Sequence, residues 1–341
     1  MSGINLAVLG ATGVVGNEIL NVLENSTLPI KSIKMLSSAR SAGKKITFKG
    51  KEYTVIETKP EEFENVDIVL ASAGASTSKA YVDAIVKAGA VIVDNSSAFR
   101  MDKYVPLVIA GANDDDLKNH QGIVANPNCS TSQLMLALKP LHEYAKIKRL
   151  IVSTYQAVSG AGKAAMDELK AHTEAVIKGE EFETKAFIKP IAFNLIPQID
   201  VFCDNAYTKE EMKVVNETKK ILHLDEETPI SCTAVRVPVF VGHSEAVTVE
   251  FEKPMTVEKT RELLENAYGV EVLDDIANSV YPTPTMAAGK DPVYVGRIRK
   301  DLAFDNAISM FVVADNLRIG AALNTVRIAE KLVEMKLVRN S

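Results

Sequence analysis

The N-terminal stretch Ile4-Asn5-Leu6-Ala7-Val8-Leu9-Gly10-Ala11-Thr12-Gly13-Val14-Val15-Gly16 decides the fold. Its apolar run predicts a buried strand, and an amphipathic helix is predicted from Gly13 onward. The glycines between them let backbone amides approach a pyrophosphate, while the helix N-terminus adds free N–H donors and a positive dipole end. The turn therefore predicts a dinucleotide site; the alternative is a tight structural turn. The expected binding residues are Gly10, Thr12, Gly13, Val14 and Val15.

The first third of the chain repeats this strand-then-helix order. Apolar runs that predict strands recur at Ile30 to Leu36, Asp67 to Ala71 and Val91 to Asp94. Ser76 to Gly89 predicts a helix that ends on a capping glycine. Strands that alternate with helices form parallel sheets, because a parallel pair needs a crossover connection. We therefore expect an α/β fold with a Rossmann-type parallel-sheet domain.

The pattern changes after Thr131, where a helix to about Pro140 is followed by a strand-rich region. The mixture predicts an α+β domain with a mixed sheet, and the last helix has an apolar stripe that we expect to return to the first domain. The predicted domains are residues 1–129 with 316–341, and residues 130–315. The predicted strands are Leu150 to Tyr155, Thr233 to Phe240, Ala246 to Phe251, Val293 to Ile298 and Ala307 to Val313, and the helices are Gly160 to Lys178, Thr256 to Ala267 and Leu317 to Lys336.

Composition restricts the class of protein. A chain of 341 residues, 47% hydrophobic and 24% charged, predicts about two globular domains. Its net charge of -5 disfavours nucleic acid as a partner, because such binding relies on a concentrated basic face. No apolar run reaches the roughly 18 residues of a membrane span, and no signal peptide is expected. Three widely spaced cysteines fit a reducing compartment, so we expect a cytoplasmic protein without a membrane partner.

The turn after the second predicted strand bears on the choice of dinucleotide. An Asp or Glu there would bind the ribose 2′-hydroxyl of NAD. The sequence instead has Ser37-Ser38-Ala39-Arg40-Ser41-Ala42-Gly43-Lys44, which carries hydroxyls and cations and no carboxylate. Such a turn suits the 2′-phosphate of NADP, and the alternative is a solvated turn. The expected ligands of that phosphate are Ser38, Arg40 and Ser41.

Cys129 is the candidate nucleophile. It lies in Asn126-Pro127-Asn128-Cys129-Ser130-Thr131-Ser132, between a predicted strand, Ile123 to Ala125, and a predicted helix. The dipole and the free N–H groups of a helix N-terminus favour a thiolate over a thiol. The alternative is a small buried apolar side chain, an interpretation that suits Cys203 and Cys232, which lack such surroundings.

His243 is the candidate acid–base group. It follows Arg236 by seven residues, with Gly242 just before it. On a regular strand the two side chains would face opposite ways, and a bulge at Gly242 would return them to one pocket. The alternative is a strand-end histidine beside a structural arginine. The other histidines are expected on the surface: His120, His142, His172 and His223.

Together these motifs resemble those of the bacterial aspartate-semialdehyde dehydrogenases, over essentially the full chain. The matching stretches, in order, are Gly10 to Gly16, Asp94 to Arg100, Asn126 to Cys129, Tyr155 to Gly160 and Arg236 to His243. The resemblance implies NADPH-dependent reduction of aspartyl 4-phosphate to aspartate 4-semialdehyde and phosphate, through a thioacyl cysteine. It implies a step in lysine, threonine and methionine biosynthesis, a homodimer or homotetramer formed through the second domain, and no metal.

The resemblance also implies roles for individual residues. Cys129 would be acylated, with His243 as general acid/base, and Gln156 would orient the acyl group. The implied substrate-binding residues are Arg236 and Glu210 for the carboxylate and amino groups, Arg100 and Lys213 for the phosphate, and Asn128; Ser159, Gly160 and Asn316 would lie against the nicotinamide half of NADP. Spacing alone would make Arg100 a surface residue, and Glu210 with Lys213 a solvated helical pair.

Two other functions stay open on the sequence. One is a different acyl-phosphate reductase, such as an N-acetylglutamyl-phosphate reductase, which also pairs a cysteine with a histidine. Its substrate has an acetylated amine, so Glu210 would have no cation to bind. The other is a catalytically silent NADP-binding regulator, against which the presence of Cys129, His243 and Arg236 in their motifs argues.

Overall fold

The structure, a computed structural model, describes residues 3–339. The first elements of the chain are β1 (Ile4–Leu9), α1 (Val14–Glu24), β2 (Ile30–Ser37), β3 (Lys45–Phe48), β4 (Lys51–Thr54), β5 (Ile56–Glu57), β6 (Ile68–Ala71), α2 (Ala75–Lys87), β7 (Val91–Asp94), β8 (Ile123–Ala125), α3 (Cys129–Ala145) and β9 (Ile147–Gln156). They are followed by α4 (Lys163–Lys178), α5 (Lys209–Leu222), β10 (Ile230–Arg236), β11 (His243–Phe251), α6 (Val257–Glu265), β12 (Val270–Val272), α7 (Pro284–Ala287), β13 (Val293–Lys300), β14 (Ala307–Ala314) and α8 (Leu323–Glu334).

These elements form two compact units. The first unit contains the described residues up to Asn128 and those from Ala321 onward, and the second contains Cys129–Gly320. Helix α8 therefore belongs to the first unit, where its apolar stripe packs on α1, β6 and β7.

The first unit is built on a six-stranded sheet in the order β5-β2-β1-β6-β7-β8. Every neighbouring pair is parallel, which confirms the predicted Rossmann-type α/β architecture. The turn after β1 requires glycine at two positions. Gly10 has φ +89°, and a Cβ on Gly16 would lie 2.1 Å from the carbonyl oxygen of Gly10. The glycines therefore let α1 begin directly above the end of β1.

The second unit has a mixed six-stranded sheet in the order β10-β9-β11-β14-β13-β12, as the strand-rich sequence predicts. The β10·β9 and β12·β13 pairs are parallel, and the three central pairs are antiparallel. Helices α3, α5 and α6 pack on this sheet. The side chains that alternate with the buried ones include Ile151 and Tyr155, which are 39% and 38% exposed. One face of the sheet is therefore covered by helices and the other is open.

Several predicted boundaries of the second unit are wrong. The strand predicted over Thr233 to Phe240 ends at Arg236, so no bulge at Gly242 joins Arg236 to His243: they lie on two different strands, β10 and β11. Gly242 belongs to the connection, where its φ of +101° reverses the chain. Helix α3 continues past Pro140 to Ala145, because Leu141 and Ala145 are buried in the core.

Two predicted helices also begin later than expected. The helix predicted from Gly160 begins at Lys163, because a 3-10 turn, Val158–Ala161, and Gly162 at φ +89° precede it. The helix predicted from Leu317 begins at Leu323, after a π-helical turn, Arg318–Ala322. Over residues 3–339, no helix combines the length and the apolar character needed to cross a membrane.

Candidate active site

Cys129 is the first residue of α3, and its Sγ lies 3.2 Å from Nε2 of His243. His243 begins β11 and is completely buried. The backbone N–H of Ala157 donates to Nδ1 of His243 over 3.0 Å. Because a backbone N–H can only donate, Nδ1 is the acceptor, and the neutral ring carries its proton on Nε2, towards the sulfur. The structure thus brings together the two residues that the sequence singles out.

His243 is held in its neutral form. Burial above all, and then the positive charge of Arg236, lower its pKa from 6.5 to about 3, against the opposing effect of Glu210. A second N–H on the ring would also meet the N–H of Ala157. The imidazole is therefore an uncharged hydrogen-bond donor near neutral pH.

Gln156 is the middle of a buried hydrogen-bonded chain. Its Oε1 accepts from Oγ1 of Thr154 over 3.0 Å, and its Nε2 donates to Oε1 of Glu210 over 3.1 Å. Nζ of Lys213 contacts Oε2 of Glu210 at 3.0 Å and Oδ2 of Asp200 at 3.1 Å. Burial acts to lower the pKa of Lys213, but the two carboxylates outweigh it and the pKa is raised, so this ammonium stays charged. Glu210 and Lys213 are a partly buried pair, and not a solvated one.

The start of α5 is fixed by Glu211, the neighbour of Glu210. The Glu211 carboxylate accepts from the backbone N–H of Thr208, in a capping box, and from that of Ala234 on β10. This double attachment holds the first turn of α5 against the sheet. It explains why Glu210, on that turn, reaches Gln156.

Arg236 ends β10 beside the same pocket. Its Nη1 donates to the carbonyl oxygen of Ala157 over 2.8 Å. A Cβ on Gly160 would lie 3.2 Å from that Nη1 and 3.3 Å from Nε2 of His243. Arg236 and His243 therefore face one pocket around Gly160, as predicted, although the predicted bulge does not exist. Burial lowers the pKa of Arg236, but a guanidinium remains charged at neutral pH.

Gly320 lies against Cys129, and Asn316 is bonded to Gly242, the residue before His243. A Cβ on Gly320 would lie 2.7 Å from Cβ of Cys129, a close approach that no local sequence motif indicates. Ser159 and Asn316 are buried and hydrogen-bonded to each other, and Oδ1 of Asn316 also accepts from the N–H of Gly242 over 2.9 Å. These hydrogen bonds connect the turn at Ser159 with the segment just before His243.

Arg100 and Asn128 lie in the first unit and are buried. Nε of Arg100 donates to the carbonyl oxygen of Asn126 over 2.9 Å, and Nη2 donates to that of Asn95 over 2.8 Å. Asn324 of α8 donates to Oδ1 of Asn126 over 2.7 Å. The stretch before Cys129 is thus fixed by two buried side chains, and nothing in the sequence motif pointed to Asn324.

The first unit contains a cavity of about 510 Å³ above the glycine-rich turn. Thr12 and Ser41 are within hydrogen-bond distance there, and Arg40 is exposed at the rim. Hydroxyls, backbone amides and a guanidinium suit a phosphate group. Of the predicted cofactor residues in this unit, Gly10, Thr12, Gly13, Ser38, Arg40 and Ser41 line the cavity, whereas Val14 and Val15 are not among its lining residues.

The cavity also contains groups that the local sequence could not indicate. β5 pairs with β2 and brings Glu57 and Thr58 beside Ser37, and Ser72, Thr77 and Tyr81 enter from farther along the chain. The pocket therefore does contain a carboxylate, although the turn itself has none. Nζ of Lys59 lies 3.2 Å from Oε2 of Glu57 and compensates its charge.

The prediction that four histidines lie on the surface is wrong for two of them. His142 is a buried residue of α3, its Nδ1 accepts from the N–H of Ile147 over 3.1 Å, and burial lowers its pKa to about 4. His172 is also buried, and its Nε2 lies 2.9 Å from the carbonyl oxygen of Glu183. His120 is half-buried and His223 is exposed.

The two remaining cysteines differ in burial: Cys232 is buried, as expected, but Cys203 is only partly buried. Over residues 3–339, no His, Cys, Asp or Glu cluster suits a metal ion.

Comparison with known proteins agrees with this geometry. Two family models match, the semialdehyde dehydrogenase NAD binding domain over residues 5–120 and the semialdehyde dehydrogenase dimerisation domain over residues 138–319. The aspartate-semialdehyde dehydrogenase of Aquifex aeolicus is 52% identical over 98% of this chain and 100% of its own length. That of Bacillus subtilis is 50% identical over 98% of this chain and 99% of its own.

Solved structures agree as well. Aspartate semialdehyde dehydrogenase II from Vibrio cholerae matches with a TM-score of 0.94 and 44% identity, over 98% of this chain and 99% of that one. The enzyme from Candida albicans, solved with NADP, matches with a TM-score of 0.78 and 27% identity, over 98% of this chain and 100% of that one. On these similarities, the chain belongs to the aspartate-semialdehyde dehydrogenase family.

Proposed function

We propose that this chain reduces aspartyl 4-phosphate to aspartate 4-semialdehyde and phosphate with NADPH, in the cytoplasmic synthesis of lysine, threonine and methionine. The observation that carries the proposal is the 3.2 Å approach of the Cys129 Sγ to the Nε2 of a neutral His243 at a helix N-terminus. Relatives at about half identity are named for this reaction, and one Vibrio cholerae structure was solved with ASA.

In the first step the Cys129 thiolate attacks the acyl carbon. A carbon–sulfur bond forms, and the carbon–oxygen bond to phosphate breaks, with the electron pair leaving on phosphate. His243 presents an Nε2–H beside the sulfur, so it donates to the oxyanion that develops on the carbonyl oxygen. Gln156, held at both ends by Thr154 and Glu210, orients the acyl group. The thioester that remains is a better electrophile than a carboxylate.

The charged side chains that the family resemblance assigns to substrate binding suit the charges of the substrate. Arg236 offers a guanidinium to the substrate carboxylate, and Glu210 offers a carboxylate to its amino group. Lys213, with its raised pKa, and Arg100 are the phosphate-binding residues, and Asn128 completes the set. A free amino group distinguishes this substrate from an N-acetylated one, whose amide nitrogen carries no charge for the Glu210 carboxylate to bind.

The residues of the cavity in the first unit fit NADP. Gly10, Thr12 and Gly13 would hold the pyrophosphate at the start of α1, and Ser38, Arg40 and Ser41 would hold the 2′-phosphate. Ser159, Gly160 and Asn316 of the second unit are the residues for the nicotinamide half. When bound, the cofactor supplies the hydride that reduces the thioester.

We further propose that residues 1–129 with 316–341 form the cofactor domain and that residues 130–315 form the catalytic and dimerisation domain. The open face of the second sheet carries the exposed side chains of Ile151 and Tyr155, which would be buried in a homodimer. The match of residues 138–319 to a dimerisation domain supports this partner.

The test is phosphate-dependent reduction of NADP with aspartate 4-semialdehyde, run beside the semialdehyde of N-acetylglutamate. We expect turnover with the first aldehyde and a kcat/KM at least about 10³-fold lower with the second, because its acetylated amine offers no ammonium to the Glu210 carboxylate and its acetyl group adds bulk there. Faster turnover of the acetylated aldehyde would favour the other reductase, and NADP binding without turnover of either would favour a regulator.

A further inference from the structure

The helix-facing side chains of the second sheet form rows across its strands. The row at the end of the sheet contains Arg236 and its pairing partner Gln156, with His243 beside them. The next row contains Ala234, Thr154, Glu245 and Val312. Glu245 therefore lies directly behind the reacting groups, two residues along β11 from His243, and it is completely buried.

Neither oxygen of the Glu245 carboxyl has a hydrogen-bond partner or an ion pair within residues 3–339. The polar side chain that faces it is Gln133, on α3. Gln133 is itself completely buried, and its Oε1 likewise has no partner in the described part of the chain. Its Nε2 donates to the carbonyl oxygen of His243 over 3.4 Å.

Burying an unpaired carboxylate is costly, so this carboxyl takes up a proton instead. Burial raises its pKa well above the usual value, against the opposing effect of Gln133. No cation among the described residues lowers this pKa, and the Cys232 thiol on β10 lies near enough for Glu245 to raise the pKa of that thiol. A protonated carboxyl carries one O–H donor, and the Oε1 of Gln133 is a buried acceptor that lacks one. One hydrogen bond satisfies both groups.

We propose that Glu245 is a positioning residue, which donates a hydrogen bond to Gln133 and thereby holds the Cys129 helix against the strand that begins with His243. Gln133 is four residues, about one turn, after Cys129 on α3, and its amide also reaches the backbone of His243. The link joins the two elements whose first residues meet at 3.2 Å. The inference rests on the proposed function only for the identity of the reaction.

The test compares three variants of the full-length protein. Glu245→Gln keeps a donor for Oε1 of Gln133, whereas Glu245→Leu has a similar volume and no donor. The double variant Gln133→Leu with Glu245→Leu removes both partners, so no orphaned acceptor remains to destabilise the fold. Glu252→Leu, at an exposed position just beyond the end of β11, is the control.

Two readouts are needed. The first is kcat and KM for aspartate 4-semialdehyde. The second is the pH dependence of iodoacetamide labelling of Cys129, read from the mass of its peptide, which needs no substrate. We expect kcat of the Glu245→Leu and double variants to fall by about 10- to 100-fold. The pH at which Cys129 labelling reaches half its maximal rate should also shift in these two variants. Glu245→Gln and the control should retain the wild-type kcat and the wild-type midpoint.

The proposal is overturned if the double variant labels and turns over like the wild type, or if only its unfolding free energy changes. It is also overturned if Glu245→Gln is impaired as much as Glu245→Leu, because a charge would then be required. If Glu245→Leu fails to fold, kcat and Cys129 labelling of the double variant test the proposal in its place. A wild-type protein that is inactive on the semialdehyde would remove the proposed function, while the labelling comparison would still test the link.

Discussion

The backbone N–H of Ala157 donates to Nδ1 of His243 over 3.0 Å, and this bond fixes which nitrogen of the ring carries the proton. The accepting Nδ1 leaves the proton on Nε2, 3.2 Å from the Sγ of Cys129. Because the ring has no free lone pair towards the sulfur, it serves as a donor to thiolate and oxyanion, and not as the base that removes the thiol proton. We therefore propose that, of the general acid/base role that the family resemblance implies, His243 performs the donation of a proton and not its removal from the thiol.

This arrangement predicts the ionisation state of His243 directly. In ¹⁵N spectra of histidine-labelled protein at pH 7, the ring should show an unprotonated Nδ1 and a protonated Nε2, and should not titrate near 6.5, because burial lowers its pKa to about 3. The His243→Asn variant assigns the resonances by their loss. An imidazolium, or a proton on Nδ1, would contradict the assignment.

Arg40 should set the preference for NADP. In Arg40→Asp a carboxylate would repel the 2′-phosphate and accept from a 2′-hydroxyl, so the ratio of kcat/KM for NADP to that for NAD should fall by about 10- to 100-fold. Lys44→Asp makes the same charge change at an exposed position of the same turn that does not line the cavity, and should have a smaller effect. An unchanged ratio in Arg40→Asp would remove Arg40 from the site.

Gly320 should be intolerant of a side chain. A Cβ there would lie 2.7 Å from Cβ of Cys129 and 3.0 Å from its Cα, so the start of α3 would have to move. We expect Gly320→Ala to lower the free energy of unfolding by about 1 to 3 kcal/mol and to lower kcat, measured by urea titration and by turnover. Wild-type values of both would show that the helix start is more adaptable than this contact implies.

His142 should make stability depend on pH. Its pKa is about 4 in the folded protein and 6.5 when unfolded, so the unfolded state binds more protons between these values. Its contribution to the free energy of unfolding is complete above pH 6.5 and is lost as the pH falls towards 4. The difference between wild type and His142→Asn should therefore shrink from pH 7.5 to pH 5. The exposed His223→Asn should leave that pH dependence unchanged, and an equal effect of the two variants would refute the burial argument.

How much of the site could be predicted depended on how far apart the partners lie in the sequence. The glycine turn and Cys129 were predictable, because a strand, a turn and a helix start are local patterns. The pairing of Arg236 with His243 was predicted for the wrong reason. A seven-residue interval was interpreted as a single bulged strand, whereas Pro238 and Gly242 lie in a connection between two strands.

Contacts over long separations left no local signal. The carboxylate of Glu57 reaches the cavity because β5 pairs with β2, and Gly320 meets Cys129 across 191 positions. The surface prediction for His142 was wrong because α3 is buried over most of its length, so its polar positions are internal as well. Amphipathic periodicity cannot distinguish such a helix from one at the surface.

The central claim is that the sulfur of Cys129 carries the acyl group. The most direct measurement is phosphate-dependent reduction of NADP with aspartate 4-semialdehyde by the wild-type protein and by Cys129→Ala, with NADP affinity determined for both. We predict that the variant loses turnover by at least about 10⁴-fold while binding NADP as tightly as the wild type. Turnover near the wild-type rate in Cys129→Ala would contradict the mechanism.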